Sequence, residues 1–167
     1  MDIVISPVVA ADVAAVAELA RIVWQDTYPE IISQAQIDYM LEQRYNVPHL
    51  LDELESADLW WDKVTVNGRL AAFASSLLIH SAGEMKLDKL YVDPAMQRLG
   101  LGGRLIAHLT ERALVKRCSA LILAVNKRNQ QAIAAYRKHG FVEREAVRVD
   151  IGNGFVMDDF IMAKSLG

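Results

Sequence analysis

Apolar residues recur along this chain with two spacings, and each spacing predicts its own kind of element. Short alternating or continuous apolar runs are typical of strands, whereas apolar residues three and four positions apart share one face of a helix. The strand pattern occurs at 3–6, 59–66, 69–79, 84–92, 121–126, 142–150 and 155–163. The helix pattern occurs at 11–24, 33–44, 48–57, after the glycine-rich turn near 100, and at 129–140.

Turn and capping residues support several of these boundaries. Ser33 and Gln36 form the capping-box pattern at the start of a helix. Asn67-Gly68, between two apolar runs, is a strong hairpin signal. Residues 25–30, which are mostly polar and include a proline, are predicted to form a loop after a helix that ends near Trp24.

The order of the predicted elements favours one fold class. Strands are interspersed with helices, which fits a mixed sheet covered by helices. We therefore predict an α/β fold of the mixed α+β kind. A length of 167 residues suits a single domain spanning residues 1–167 with a sizeable core.

Composition and charge narrow the class of protein. Hydrophobic residues make up 53% of the chain and charged residues 23%, which argues against disorder. The net charge of −3 gives no support for a nucleic-acid partner, and no uncharged span is long enough to cross a membrane. Cys118 is the only cysteine, and the N-terminus lacks the positive start of a signal peptide. We expect a cytoplasmic protein.

Residues 90–104 carry the most informative pattern in the chain. An apolar run meets an Asp-Pro break, and then a basic, glycine-dense turn leads into an amphipathic segment. The three glycines at 100–103 leave the backbone bare at a predicted helix start, where unpaired amides and the helix dipole favour an anion. Arg98 and Arg104 add positive charge. The turn is suited to a pyrophosphate, and the alternative is a turn that only caps a helix.

Two common phosphate-binding motifs do not fit this turn. A nucleotide-hydrolase loop needs Lys-Ser or Lys-Thr after its glycines, and neither pair is present. The dinucleotide fingerprint needs a glycine three positions after Gly102, where Leu105 stands. The pattern that is present, Gln97-x-x-Gly100-x-Gly102, resembles the Q/R-x-x-G-x-G/A signature of the GNAT superfamily of acyl-coenzyme-A-dependent N-acyltransferases. In that family the turn holds the coenzyme pyrophosphate.

A second segment strengthens the resemblance. An apolar run ends at Asn126, and a predicted helix runs from Asn129, a good N-cap, to Gly140, a left-handed C-cap. On this helix Asn129, Ala132 and Tyr136 share one face. The segment is similar to the second GNAT motif, N-x-x-A-x-x-x-Y-x-x-x-G-F, at every fixed position.

The resemblance implies a fold and a co-substrate. The GNAT fold is a single domain whose central mixed, mostly antiparallel sheet is flanked by helices and splayed between its fourth and fifth strands. The co-substrate is acetyl-coenzyme A, and no metal is expected because the four histidines lack metal-ligand spacing. The residues that the resemblance assigns to coenzyme binding are Leu90, Tyr91, Val92, Gln97, Arg98, Leu99, Gly100, Leu101, Gly102, Gly103, Asn129, Ala132 and Tyr136.

The implied chemistry is direct attack of an amine on the thioester. Tyr136 is the candidate general acid, since its phenol can protonate the leaving sulfur; its alternative role is that of a core aromatic. Many GNAT enzymes place a glutamate base on the strand before the turn, but that position holds Lys86 here. Glu84 and Asp88 share its strand face and are the candidate bases. The third possibility is that no side chain acts as the base and bulk water accepts the proton that the amine loses.

Two terminal segments bear on the acceptor. Residues 24–28 and 157–164 resemble the PaiA-like polyamine N-acetyltransferases within the superfamily. The candidate acceptor-binding residues are Trp24, Asp26 and Tyr28. Asp26, Asp158 and Asp159 could attract a cationic amine, but the favoured interpretation for all three is ordinary surface charge.

Several functional alternatives stay open at this point. A small-molecule amine is favoured as the acceptor, with a polyamine as one case, and a protein N-terminus or a lysine side chain is the alternative. A coenzyme-A-binding sensor module that has lost catalysis is a further alternative. Lys86 is the one feature that favours the sensor, whereas the retained Tyr136 favours the enzyme. A homodimer is a candidate assembly.

Overall fold

The computed structural model describes every residue from Met1 to Gly167 and contains seven strands and five α-helices. The strands are Ile3–Pro7 (β1), Leu59–Val66 (β2), Arg69–Ile79 (β3), Glu84–Val92 (β4), Ala120–Asn126 (β5), Val142–Gly152 (β6) and Phe155–Ser165 (β7). The helices are Val13–Thr27 (α1), Gln34–Arg44 (α2), Val47–Glu55 (α3), Leu101–Val115 (α4) and Gln130–Lys138 (α5). The mixed α/β class is confirmed, and every predicted strand and helix is present.

Turn and capping residues correctly predicted the start of α2 and the turn between β2 and β3. The Ser33 hydroxyl accepts a hydrogen bond of 3.1 Å from the Gln36 amide and so caps α2. Asn67 and Gly68 both have left-handed backbones, with φ of 51° and 81°, as the tight hairpin turn between β2 and β3 requires. Both features depend on residues close in sequence, so the sequence alone reveals them.

Helix α1 runs further than the sequence predicted. The predicted loop begins as helix, because the backbone continues in helical form to Thr27 and the Tyr28 amide donates to the Trp24 carbonyl over 3.0 Å. The side chains of Gln25 and Asp26 are exposed, so these polar residues lie on the solvent face and interrupt the apolar pattern without ending the helix. Pro29 follows Tyr28, the C-cap residue of the helix.

The seven strands are hydrogen-bonded in the order β1-β2-β3-β4-β5-β7-β6. The pairs β1·β2, β2·β3, β5·β7 and β6·β7 are antiparallel. β4 and β5 are parallel and pair only at Met85↔Leu121 and Lys86↔Ile122, although both strands continue beyond this point. The mostly antiparallel sheet and its splay between the fourth and fifth strands are therefore confirmed.

The chain forms two compact units, of which the first comprises Met1–Leu77 and Lys89–Leu105. Helix α1 buries one stripe in this unit, as an amphipathic helix should. The buried residues of the stripe are Val13, Val16, Leu19, Ala20, Val23 and Trp24. Residues 71–76 of β3 are buried throughout, as expected for a strand covered on both faces.

The second unit comprises Leu78–Asp88 and Ile106–Gly167. Its core is apolar and includes Leu109, Leu121, Leu123, Ile133, Phe141 and Met162. Most residues of β6, an edge strand of the sheet, are exposed. That residues 1–167 act as one domain stays a prediction.

None of the helices combines the length and the hydropathy that a membrane-spanning helix requires.

Candidate active site

In the first unit, β4 leads into the glycine turn through a fixed bend. The Asp93 amide donates to the Ala71 carbonyl of β3 over 2.8 Å, and the Asp93 carboxylate accepts a 2.9 Å bond from the Ala95 amide. A single 3₁₀ turn, Pro94–Met96, follows. These bonds anchor the start of the turn to the sheet, so the residues that follow leave β4 in a defined direction.

The backbone of the turn is left-handed at Arg98 and Gly100, with φ of 67° and 73°. The Gly100 carbonyl accepts the first bond of α4, from the Arg104 amide over 3.1 Å. The amides of the three residues between them, Leu101–Gly103, therefore have no acceptor within the helix. With the side chains of Arg98 and Arg104 exposed beside them, these amides form a positive helix start that suits an anion.

Gly102 lies against β4 from the helix side. A Cβ atom there would lie 3.7 Å from Leu90 Cδ2 and 4.0 Å from Val92 Cγ2. These are ordinary contact distances, so an alanine would fit at this position, whereas a larger side chain would press against the two strand residues. Nothing lies within 4 Å of the corresponding position at Gly100, which leaves open space beside the left-handed turn. This open, donor-lined turn fits a pyrophosphate.

An aromatic cluster, formed by Trp24, Tyr28, Tyr45, Trp61, Phe73 and Tyr91, packs in the same unit. The ring centroids of Trp24 and Tyr28 are 4.3 Å apart, and those of Trp24 and Tyr91 are 6.0 Å apart. The hydroxyls of Tyr28 and Tyr91 are hydrogen-bonded at 3.0 Å. Trp24 and Tyr28, which are predicted to bind the acceptor, thus contact Tyr91, which is predicted to bind the coenzyme.

Asp26, the third proposed acceptor residue, is exposed on the last turn of α1. It lies on the solvent side of the helix, whereas Trp24 is only 4% exposed. The structure therefore does not bring Asp26 into the aromatic cluster with Trp24 and Tyr28.

Sequence reasoning missed Lys89, which is buried beside this cluster. Its side chain is only 3% exposed, and its Nζ lies 3.8 Å from Glu53 Oε1. A signal for it exists in the sequence. Lys89 follows Met85 and Leu87 at the alternate positions of β4 that face the core, so a charge stands where the pattern calls for an apolar residue.

In the second unit, Asn129 and Tyr136 lie on α5. The Asn129 side chain accepts a 3.3 Å bond from the Ala132 amide, which confirms it as the N-cap. Tyr136 is half-buried, and its ring packs edge-on against Phe141 with centroids 5.7 Å apart. Gly140 has φ of 94°, which confirms the predicted left-handed C-cap.

The two candidate bases, also in the second unit, differ in their surroundings. Both oxygens of Glu84 accept bonds from Arg144, at 3.1 and 2.7 Å. The hydrogen bond from Arg144 lowers the pKa of Glu84, although partial burial opposes this shift. Asp88 lies 3.6 Å from Lys86. A carboxylate held by a bidentate guanidinium is a weaker proton acceptor, so the geometry favours Asp88 over Glu84.

Asp158 and Asp159 differ as well. Asp158 forms an ion pair of 2.8 Å with Lys127, and this hydrogen bond lowers the pKa of Asp158. Asp159 is only 3% exposed, so the interpretation that assigned it ordinary surface charge is wrong. The structure contains no cluster of three or more metal-ligating side chains.

Comparison with known proteins identifies the family. The family model described as "Acetyltransferase (GNAT) family" matches residues 16–141. The alanine N-acetyltransferase of ribosomal protein bS18 from Escherichia coli K12 is 38% identical over 81 residues, 48% of this chain. The match spans only 53% of that enzyme's length. Spermidine N(1)-acetyltransferase of Thermoplasma acidophilum is 28% identical over 170 residues, 98% of each chain.

A solved structure gives the same result. The PaiA N-acetyltransferase from Thermoplasma acidophilum, in complex with coenzyme A, superimposes with a TM-score of 0.86 at 25% identity, over 99% of both chains. The family model covers well over half of the 167 residues and includes both the glycine turn and α5. The chain therefore belongs to the GNAT acetyltransferase family.

Proposed function

We propose that this protein is an N-acetyltransferase that transfers an acetyl group from acetyl-coenzyme A to a primary amine by direct attack. The observation that carries the proposal is the start of α4, where the Leu101–Gly103 amides have no acceptor within the helix and Gly100 leaves open space beside them. Membership of the GNAT family supports the same assignment.

The coenzyme would bind through the turn and through β4. Residues 97–103 hold the pyrophosphate by backbone amides, with Arg98 supplying positive charge. The backbone N–H groups of Leu90, Tyr91 and Val92 bind the pantetheine arm and polarise the thioester carbonyl. Asn129 and Ala132, at the start of α5, are further proposed contacts.

The bound co-substrate supplies an acetyl thioester. The neutral amine nitrogen of the acceptor forms a bond to the carbonyl carbon, and the carbon–sulfur bond breaks. Strand amides of β4 stabilise the negative charge that develops on the oxygen. Tyr136 donates its phenolic proton to the departing sulfur, and Asp88 accepts the proton that the amine loses, directly or through water.

The acceptor is a small-molecule amine, with a polyamine as the favoured case. The likeness to the spermidine enzyme extends over 98% of the chain, against 48% for the bS18-alanine enzyme. The half-buried ring of Tyr28 offers aromatic surface to an alkylammonium chain, and the buried ring of Trp24 packs behind it with centroids 4.3 Å apart. A protein N-terminus is the second candidate, and the local identity of 38% to the bS18-alanine enzyme favours it.

The test is thiol release from acetyl-coenzyme A with matched acceptors. Spermidine, a diamine and a peptide with N-terminal alanine are compared at equal concentration. Turnover with any amine supports the enzyme, and turnover of spermidine above the peptide supports the polyamine assignment. Calorimetric binding of coenzyme A without turnover of any acceptor would favour a non-catalytic sensor.

We place the protein in the cytoplasm, with no nucleic-acid or membrane partner. The buried, unpaired Cys118 and the net charge of −3 support this placement. A homodimer is the proposed assembly, and sedimentation equilibrium over a range of concentrations tests it.

A further inference from the structure

We propose that Lys89 is a positioning residue for the coenzyme turn. It holds the last residues of β4 in place from one face of the sheet, while the start of α4 rests on the same residues from the other face. The inference rests on the proposed function, because it concerns the turn that would bind coenzyme A.

The ammonium group of Lys89 lies inside the first unit beside the Glu53 carboxylate and the rings of Trp61 and Tyr45. Its Nζ lies 3.8 Å from Glu53 Oε1, 5.2 Å from the Trp61 ring centroid and 5.7 Å from the Tyr45 ring centroid. A buried charge is costly unless it keeps its partner. The side chain therefore has little freedom to leave this position.

The counter-charge is fixed as well. Glu53 Oε1 accepts a 3.0 Å bond from the indole N–H of Trp61 on β2. The other oxygen, Oε2, lies 3.6 Å from His49 Nε2 on α3. Glu53 itself lies on α3 and accepts a hydrogen bond from Trp61 of β2. The ion pair with Lys89 therefore connects β4 to both α3 and β2.

The next residues of β4 connect this ion pair to the turn. Side chains alternate between the two faces of a strand, and Leu90 and Val92 lie on the face that Gly102 approaches, at 3.7 and 4.0 Å from its Cβ position. On the face of Lys89, Tyr91 packs against Phe73 with ring centroids 5.9 Å apart. The strand is thus held on one face and supports the turn on the other.

The ion pair of Lys89 with Glu53 fixes the position of β4 relative to α3, and an apolar side chain in place of Lys89 would not do so. Buried ion pairs add little net stability compared with well-packed apolar residues, but they restrict the geometry of what they join. We therefore expect the loss of Lys89 to weaken coenzyme binding by more than its effect on the fold explains.

The test compares two ion pairs in the same unit. Lys89→Met keeps the length of the side chain and removes its charge. Lys63→Met is the matched control, since Lys63 pairs with Asp12 at 2.7 Å with both side chains about one-fifth exposed. Calorimetric titration with coenzyme A gives Kd, and thermal unfolding gives Tm for each variant.

We expect Lys89→Met to raise the Kd for coenzyme A about tenfold, within the range of couplings carried through packed networks. Lys63→Met should leave Kd near the wild-type value, even if it lowers Tm by as much as Lys89→Met does. Glu53→Gln should also raise Kd, because it removes the negative charge but keeps an oxygen that accepts the bond from Trp61. This second variant tests the proposal if Lys89→Met fails to fold.

Two results would overturn the proposal, and they can be told apart. Equal Kd values for the Lys89 and Lys63 variants, in a wild-type protein that binds coenzyme A, would reject the positioning role alone. Failure of the wild-type protein to bind coenzyme A would reject the proposed function, and the positioning role with it.

Discussion

Glu84 and Arg144 form a bidentate ion pair that joins the first residue of β4 to β6, across 60 residues of sequence. The two hydrogen bonds measure 3.1 and 2.7 Å, and the Glu84 side chain is only 14% exposed. A fork-shaped guanidinium meeting both carboxylate oxygens is among the stronger polar contacts in proteins. The pair engages both oxygens of the Glu84 carboxylate.

The first prediction is that this pair makes stability depend on pH in the acid range. The bond from Arg144 lowers the pKa of Glu84 below its ordinary value of 4.5. The unfolded chain therefore takes up a proton at higher pH than the folded protein does, and stability falls as pH decreases through this range. Glu84→Gln should be less stable than wild type at neutral pH, and the difference should shrink below pH 4.5.

Urea denaturation at several pH values between neutrality and the acid range measures this difference. Glu111→Gln, which changes an exposed glutamate on α4, is the control and should stay close to wild type throughout. A constant gap between wild type and Glu84→Gln at every pH would contradict the prediction.

The second prediction separates the two candidate bases. Asp88→Asn should lower turnover on the order of a hundredfold, the usual contribution of one positioned acid or base. Glu84→Gln should leave turnover near the wild-type value, because Arg144 already holds that carboxylate. Steady-state kinetics with the best acceptor measure both. A larger loss for Glu84→Gln would reverse the assignment, and no loss for either variant would leave water as the proton acceptor.

The third prediction concerns the contact of Gly102 with β4. Gly102→Ala should bind coenzyme A nearly as well as wild type, because the added Cβ meets Leu90 and Val92 at ordinary distances of 3.7 and 4.0 Å. Gly102→Val adds branched carbons at a packed contact, which forces the helix start away from the strand. Calorimetry should show a large loss of affinity for the valine variant alone. Equal affinity in a folded valine variant would remove the turn from the binding site.

The fourth prediction is that Tyr136→Phe lowers turnover about a hundredfold and leaves the Kd for coenzyme A almost unchanged. Phenylalanine keeps the edge-on packing against Phe141, which has ring centroids 5.7 Å apart, and removes only the hydroxyl. Tyr39→Phe on α2 is the matched control. If the Tyr136 variant turns over the best acceptor at the wild-type rate, Tyr136 is a packing residue.

The fifth prediction concerns a polyamine acceptor. Exposed carboxylates attract cations weakly, and salt screens the attraction, so KM for spermidine should rise with ionic strength. At low salt Asp26→Asn should raise KM further, because the exposed Asp26 carboxylate on the last turn of α1 attracts a cation at long range rather than by contact. Asp158→Asn should change it less, since Lys127 at 2.8 Å already neutralises that carboxylate. Kinetics at two salt concentrations measure both effects, and absence of spermidine turnover would end the polyamine assignment.

Local patterns in the sequence determined the elements and the motifs. The hairpin at Asn67-Gly68, the N-cap at Asn129 and the C-cap at Gly140 were all predicted, because each depends on the conformation of residues that are neighbours in the chain. The seven strands were predicted from periodicity for the same reason. The glycine turn was recognised as a helix start, and the structure gives it the left-handed backbone at Gly100.

Only the tertiary structure decided which side chains meet and which are buried. The partner of Glu84 is 60 residues away in the sequence, and Glu53, a partner of Lys89, lies on helix α3, far from strand β4 in the sequence. Asp159 is buried although its residue type suggested surface charge. Local spacing sets the conformation of a segment, but burial and charge pairing depend on how distant segments pack, and no pattern within one segment contains that information.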